Sequence, residues 1–433
     1  MKIWFDILHT PQYNFYRPIM ETLAGQGHTI YVTVLGRGRT PQIMQHELSG
    51  KPIQIDVVGK HKMTKWSVIW DANIVRMVKL GLWRMRHKVD VCFTNGFQAA
   101  IWSRLFGNKS YTFGDDPDTF DYYPKLWFAT KVHICLVDRS YIGVGMRQLP
   151  ERVTVTRCLK EWASLNPRTF VPNEKVLDIY GVKPKEYIFL REVTVGTINY
   201  TGQESGAILG IKDMIPKGMK VLFSLEEKKR RNEYPADWIL LQEPIEDIHS
   251  LIYYSAGLVS SGDSMAREAA LLGVPAYYLG IRYSMPANAA ASKVASLQNR
   301  KTMDFAEWIE SIIENKNIKN IDKNIENIID DSKSKKRNPQ SSEDALYVTN
   351  PQSASMQASR QTDDQSHNAI VIDDQLQVTC KKDNLQSSLK SSKKCHAELL
   401  MEQQKALREH IDHEFIDINA YMLSLVEHTD RKK

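Results

Sequence analysis

A short apolar strand that runs through a small-residue loop straight into a helix leaves a chain few folds to adopt. Residues 259–273, VSSGDSMAREAALLG, have that form. The apolar run ends at Val259, the loop is Ser260-Ser261-Gly262-Asp263-Ser264, and a helix opens at Met265; Gly273 closes it before Pro275 begins the next strand. Parallel α/β domains build anion sites this way, because the unpaired N–H groups of the first helical turn and the helix dipole converge on one point. Glu268 follows Ser264 by four residues, on the same helix face and one turn deeper. A carboxylate at that depth suits the paired hydroxyls of a ribose, with phosphates above it at the helix tip. The stretch therefore predicts a nucleotide-sugar site made by Ser261, Gly262, Asp263, Ser264, Met265 and Glu268. A capped helix with Glu268 merely on its surface is the plainer alternative.

The rest of the chain supplies the sheets that such a motif needs. Residues 2–8, KIWFDIL, are apolar on both faces, as a buried parallel strand is. An amphipathic helix over 14–25, a Gly27-His28 turn and a strand over 29–35 complete a βαβ unit. Strands are expected at 53–58, 89–93, 109–113 and 132–137, with helices at 66–88, 97–106 and 122–129 between them. Pro167, Pro172 and Pro184 mark a linker over 166–184, and a second series starts at 187–191 and continues at 219–224 and 238–241. The predicted fold class is α/β. Two Rossmann-like domains, 1–165 and 185–330, would face each other across a cleft, with ligands at the strand C-terminal ends. Residues 331–393 are rich in Ser, Gln, Asp, Asn and Lys and cannot bury enough apolar surface to offset chain entropy, so a disordered tail is expected there. Helical spacing returns over 394–430 through Leu399, Leu400, Leu407, Ile411, Phe415, Ile418 and Leu423, which predicts one amphipathic helix, either isolated or bound to a protein partner.

Composition narrows the function. A net charge of +6 over 433 residues suits phosphate-bearing substrates or an anionic membrane surface. No concentrated basic face or aromatic platform is evident, so nucleic acid is not an expected partner, and Lys333 to Arg337 reads as solvated linker. Five cysteines without CxxC spacing argue against a disulfide framework and a zinc site. No metal or cofactor is expected; the nucleotide sugar would enter as substrate. The N-terminus begins directly as a strand and no apolar run approaches the roughly 18 residues of a membrane span, so a cytoplasmic protein is expected. In residues 66–88, Trp66, Trp70 and Trp83 interleave with Arg76, Lys79, Arg84, Arg86 and Lys88. Such a helix could dock at the inner face of an anionic membrane, or pack its apolar side on the sheet and solvate its charges.

Chemistry outside the motif has fewer candidates. His9 stands just past the first strand, where an imidazole with a pKa near operating pH could serve as general base on an acceptor hydroxyl; it could equally hold the turn. Asp115, Asp116 and Asp118 cluster after another strand end, and Asp116 is the candidate to deprotonate an acceptor. A polar Pro-containing loop explains the cluster almost as well. Arg191 ends the first strand of the second series, where it could make bidentate contacts with phosphate or a structural ion pair. Asp6, inside its strand, reads as a structural hydrogen-bonding group.

Three stretches, MKIWFDILHTP, GHTIYVT and SMAREAALLGVPA, resemble the microbial domain-of-unknown-function family number 354 over roughly residues 1–300. That family is similar in sequence pattern to two-domain glycosyltransferases of the GT-B fold and to UDP-N-acetylglucosamine 2-epimerase. The resemblance implies that the C-terminal domain holds a nucleotide diphosphate and the N-terminal one the acceptor. Gly262 and Ser264 match the phosphate-contacting loop, and Glu268 matches the ribose-binding residue. One position departs: Asp263 stands where the family commonly has a second glycine. Aspartate tolerates unusual backbone angles and can cap a helix, but its charge is expected to oppose a diphosphate. The expected activity is hexosyl transfer from a nucleotide diphosphate donor to an unknown acceptor, lipid-linked or a surface glycan. Nucleotide-sugar epimerisation or hydrolysis, and a non-catalytic scaffold, are the rivals.

Overall fold

The computed structural model describes residues 1–61, 70–115, 124–136, 153–195, 202–241, 245, 247–295, 297–314 and 396–431. Two sheets organise them. The first comprises β1 (Lys2–Ile7), β2 (Thr29–Gly36), β3 (Ile53–Lys60), β4 (Val91–Thr94), β5 (Lys109–Gly114), β6 (Lys131–Cys135) and β7 (Val153–Thr156), in the order β3-β2-β1-β4-β5-β6-β7. The second comprises β8 (Tyr187–Glu192), β9 (Lys220–Leu225), β10 (Ile239–Leu240), β11 (Gly257–Ser260), β12 (Ala276–Tyr278) and β13 (Leu297–Asn299), in the order β10-β9-β8-β11-β12-β13. All of the pairings are parallel. Strand order reverses between β1 and β4 in one sheet and between β8 and β11 in the other. At such reversals the connections diverge to opposite faces and leave a crevice at the strand carboxyl ends. The expected tail over 331–393 lies outside the described residues.

Strands without a solvent face need cover on both sides, and the first sheet obtains it from α1 (Thr10–Gly25), α2 (Thr40–Glu47), α3 (Arg76–Arg86) and α4 (Phe97–Leu105). Towards α1, Phe5 stacks on Phe93 at 5.2 Å and meets the edge of Tyr16 at 5.5 Å. On the other face Trp4 packs against Trp83 of α3 at 4.9 Å. Asp6 and Arg76 are both wholly buried there, with Arg76 Nη2 2.5 Å from Asp6 Oδ1. A pair so deep is tolerable only when its remaining valences are filled. They are: Thr33 donates to Asp6 at 2.6 Å and Arg76 Nε donates to the Val58 carbonyl at 3.2 Å. Asp6 is thus structural, as its place in the strand predicts. Cys92, Cys135 and Cys158 are buried free thiols.

The strands β7 and β13 are not among those the sequence predicts. VTVT and LQN lack the apolar run bounded by turn residues that marks the other short strands, such as VCFT before Asn95-Gly96. In the second half, α5 (Trp162–Leu165) leads out of the first sheet, and α6 (Ile248–Tyr253), α7 (Asp263–Leu271), α8 (Pro286–Val294) and α9 (Phe305–Glu314) pack on the second.

The C-terminal segment differs most from expectation. It forms two helices, α10 (His396–Glu414) and α11 (Ile418–Asp430), with Asp417 capping the second through Asn419 and Ala420. Their apolar side is used within the chain, since Ile411, Phe415, Ile418, Met422 and Val426 join the core that both sheets share. Gln404 donates to the carbonyls of Tyr253 and Leu272 in the second half of the chain and accepts from Lys185. Further along, Asn419 donates to the Ala163 carbonyl, and Tyr421 contacts His133 of the first sheet at 3.1 Å. The chain therefore ends by crossing from the second sheet back to the first.

Gly273 marks where that crossing is closest. It closes α7 with φ +75, and a Cβ there would lie 2.8 Å from the Gln404 carbonyl oxygen. Gly273→Ala should combine left-handed strain with that clash and lower stability by about 1–3 kcal/mol. The expected readout is a reduced thermal midpoint with faster proteolysis within α10 than elsewhere; cleavage spread evenly along the chain would contradict it.

Candidate functional site

The carboxyl ends of β1 and β5 and the tip of α7 come together between the two sheets, through side chains from both. Ser260 and Ser261 build the loop before α7. The Ser260 hydroxyl donates to the Gly262 carbonyl at 2.7 Å and accepts from the Gly262 N–H at 3.0 Å. The Ser261 hydroxyl accepts from the Val193 N–H, its own N–H donates to the Arg191 carbonyl, and its carbonyl accepts from Gln203. Gly262 is the N-cap, so α7 opens at Asp263, two residues before the position expected from the sequence. Ser261 and Gly262 are buried scaffold, whereas Ser264 and Met265 in the first turn are half-buried.

Asp263 does not present an uncompensated charge. Its Oδ1 accepts from the Ser264 N–H at 2.9 Å, while Oδ2 lies 3.2 Å from Arg282 Nη1 and 3.5 Å from Arg267 Nη1. The repulsion expected from an aspartate at a phosphate-binding tip is neutralised on two sides.

Arg267 is the residue that sequence reasoning passed over. It is 2% exposed and bridges the halves of the chain. Nε and Nη2 donate to Glu161 Oε1 at 2.9 and 2.7 Å, Nη1 donates to Asn288 at 2.7 Å, and Nη2 lies 3.5 Å from Asp115 Oδ2. Lys160 completes the cluster with Nζ 2.9 Å from Asp115 Oδ1. Burial alone would push the Asp115 carboxyl up; Lys160 and Arg267 outweigh it and hold it well below the usual range. Burial likewise opposes the charge on Arg267, and Glu161, Asp263 and Asp115 restore it with a raised pKa. The Asp263–Arg267 spacing of four residues on one helix is the signal that could have flagged the pair.

His9 lies beside this cluster as the residue that caps α1, its carbonyl accepting from the Gln12 N–H at 3.0 Å. Its Nδ1 is buried with no hydrogen-bond partner among the described residues. Burial, then Lys160 and Arg37, lower its pKa to about 3. The ring is therefore neutral at physiological pH but a much weaker base than the sequence-based expectation of a near-neutral pKa. Asp116 and Asp118 lie outside the described residues.

Arg191, at the end of β8, donates to the Ser224 hydroxyl at 2.7 Å and pairs with Glu226 at 2.5 Å; the second Glu226 oxygen accepts from the Thr194 N–H. Glu268 is buried on α7 with Oε2 3.3 Å from His249 Nε2 of α6, an ion-pair distance off the line of a hydrogen bond. Burial disfavours the imidazolium of His249, but Glu268 outweighs this and raises its pKa. No local spacing announces His249, which reaches Glu268 only through the packing of α6 on α7.

Among solved structures, UDP-GlcNAc 2-epimerase from Methanocaldococcus jannaschii superposes with a TM-score of 0.52 at 14% identity, over 72% of this chain and 92% of its own. The same enzyme in complex with UDP-GlcNAc and UDP gives 0.53 with the same identity and coverage. The chain has a GT-B-like fold. The spinosyn forosaminyltransferase SpnP aligns over 72% of this chain and 89% of its own at 11% identity, with a TM-score of 0.49. No protein-family model matches the chain, and no curated protein does. The likeness speaks to fold.

Removing Arg267 would strand buried carboxylates. Arg267→Met should cost about 3–5 kcal/mol. It should also change the acid response. Asp115, with its depressed pKa, contributes stability that is present above about pH 4 and lost as pH falls through its folded value. Without Arg267 that folded value rises, so the difference in proton uptake on unfolding shrinks. In acid titrations followed by circular dichroism, the variant should be less stable at neutral pH and its stability should fall less steeply below pH 4. An unchanged slope would show that Asp115 does not depend on Arg267.

Proposed function

We propose that the chain binds a nucleotide diphosphate sugar between its two sheets and transfers the sugar to an acceptor held by the N-terminal half. The observation that carries this reading is the placement of the α7 tip, at the β8–β11 reversal, against the His9–Asp115–Lys160 edge of the first sheet. A helix tip at a strand-order reversal favours a diphosphate, and Glu268 one turn below it would accept hydrogen bonds from a ribose. In this reading Ser264, Met265 and the α7 dipole receive the diphosphate, with Gly262 and Ser261 setting the loop. Arg191 and Arg282 turn towards phosphate by exchanging carboxylate partners for it. Preorganised charge at the leaving diphosphate is the main catalytic contribution.

The acceptor is activated by His9 or Asp116. A diphosphate arriving nearby adds negative charge, which raises the His9 pKa from about 3 and makes the imidazole a stronger base in the complex than in the free protein. The donor needs no further cofactor in this scheme, and the acceptor is a lipid-linked group or a glycan.

Epimerisation of the donor sugar is the second reading. The structurally similar Methanocaldococcus jannaschii enzyme is a UDP-GlcNAc 2-epimerase that forms a complex with UDP-GlcNAc and UDP.

Calorimetry with UDP, GDP and their sugars tests the proposal. One nucleoside diphosphate should bind, and Glu268→Ala should weaken it about tenfold to a hundredfold, the worth of a charge-assisted hydrogen bond. A folded Glu268→Ala variant that binds as tightly as the parent would sink the ribose assignment. Conversion of UDP-GlcNAc without any acceptor would move the assignment to epimerisation or hydrolysis, and failure to bind any nucleotide would leave only a scaffold.

A further inference from the structure

The helix α3 and the π-helical turn before it, Trp70–Val75, carry an apolar stripe on the solvent side. Trp70, Ile74, Val78, Leu82 and Met85 are 46–62% exposed and recur at intervals of four or three residues. This is the face opposite to the one the sheet covers, where Ala72, Arg76, Leu80, Trp83 and Arg84 are buried. Two anchors fix which face points out. The Arg76–Asp6 pair ties the inner side of the helix to the central strand. Trp102 of α4 donates to the Met77 carbonyl at 2.7 Å and lies over Gly81, where any Cβ would collide with its ring. The stripe is therefore held outward and cannot turn in.

The apolar surface continues at the end of α4, where Leu105 and Phe106 are 68% and 40% exposed. Arg84 stacks over Phe106 at 4.7 Å and joins the two helices. Such a concentration exceeds the scattered apolar exposure of an ordinary surface. Neither α3 nor α4 contains a carboxylate. Among the described residues, the exposed charges on and beside them are Lys79, Arg86, Lys88, Arg104 and Lys109, all cationic. Asp71 stands on the leading turn, and Asp90 accepts from the Lys2 N–H at 2.7 Å.

We propose that this face docks on an anionic lipid bilayer, with the stripe sunk at the headgroup boundary and the cationic side chains at the phosphates. The pattern is that of an interfacial helix lying in the membrane plane. A second copy docked about a twofold axis would instead set like charges against like. Of the residues that the sequence offers for this role, Trp70, Lys79, Arg86 and Lys88 are on the outer side; Trp83, Arg76 and Arg84 face the protein, Trp66 lies outside the described residues, and Ile74, Val78, Leu82 and Met85 complete the surface. The leading turn sits at the carboxyl edge of the first sheet, where Gln98 just after β4 donates to the Ala72 carbonyl and to Asn73. Docking would thus bring the His9 side of the crevice to the membrane. The inference does not depend on the nucleotide reading.

Flotation of the full chain with vesicles of phosphatidylcholine, alone or mixed with phosphatidylglycerol, tests it. The chain should float with the anionic vesicles at low salt, less as salt rises, and scarcely with the neutral ones. Val78→Asp with Leu82→Asp, both on the exposed face, should keep the thermal midpoint and lose binding more than tenfold. Lys79→Glu with Arg86→Glu should lose roughly fivefold or more for each charge. The proposal fails if the chain does not float with anionic vesicles at low salt, or if the Val78→Asp/Leu82→Asp variant floats as well as the parent. A dimer in light scattering that this variant converts to monomer, without vesicle binding by either, would assign the face to a second copy instead.

Discussion

A buried guanidinium sets the relation between the two halves of this chain. Taking the Arg267 charge out of water costs several kcal/mol unless carboxylates accompany it. Those carboxylates come from different places: Asp263 from its own helix, Asp115 from the end of β5, and Glu161 from the segment that leaves the first sheet. Sliding one sheet against the other would separate Arg267 from two of the three. The site between the sheets is therefore held by a charge requirement as well as by apolar contact. The same cluster governs its neighbours, because Lys160, recruited to Asp115, is also among the charges that keep His9 neutral.

The C-terminal helices apply a second constraint from outside. Gln404 fills carbonyls at the ends of α6 and α7, and Lys185, whose backbone has φ +62, donates its Nζ to Tyr253, Ser255 and Gln404. The end of α7 is thereby fixed at Gly273 while its tip is fixed at Asp263 and Arg267. A helix pinned at both ends presents its first turn in one orientation, which is the preorganisation that an anion site needs.

What the sequence makes legible here is what short-range physics writes into it. Buried parallel strands such as KIWFDI lack a polar face, glycine and proline punctuate the turns, and the strand-loop-helix stretch predicts its own succession of elements, though not its place at the β8–β11 reversal. What stays hidden is set by distance along the chain. Arg267 meets Glu161 across 106 positions and Asp115 across 152, so the motif reads as a nucleotide loop while its arginine reads as nothing in particular. The pairing of Arg76 with Asp6 spans 70 positions and decides which side of α3 is interior. Aromatic and basic residues fall on both sides of that helix, so its period predicts a helix without predicting its exposed face. Likewise the apolar spacing after residue 394 is visible, but the surfaces that absorb it lie hundreds of positions earlier.

The charges around the α7 tip bear on how a diphosphate would be held there. Among the described residues, Arg267, Arg282 and Lys160 are matched by Asp263, Asp115 and Glu161, three cations against three carboxylates, and Arg191 is matched by Glu226. A site so balanced attracts anions weakly from a distance. Its selectivity would come from contact, when phosphate oxygens take over donors that carboxylates otherwise hold. The half-buried Arg282, at 24% side-chain exposure, is better placed for such an exchange than Arg267 at 2%. Asp263 would then be a placeholder for phosphate at Arg282, where a glycine would leave the guanidinium without that partner. On this argument the aspartate keeps the tip ordered before the ligand arrives, at some expense in affinity once it does.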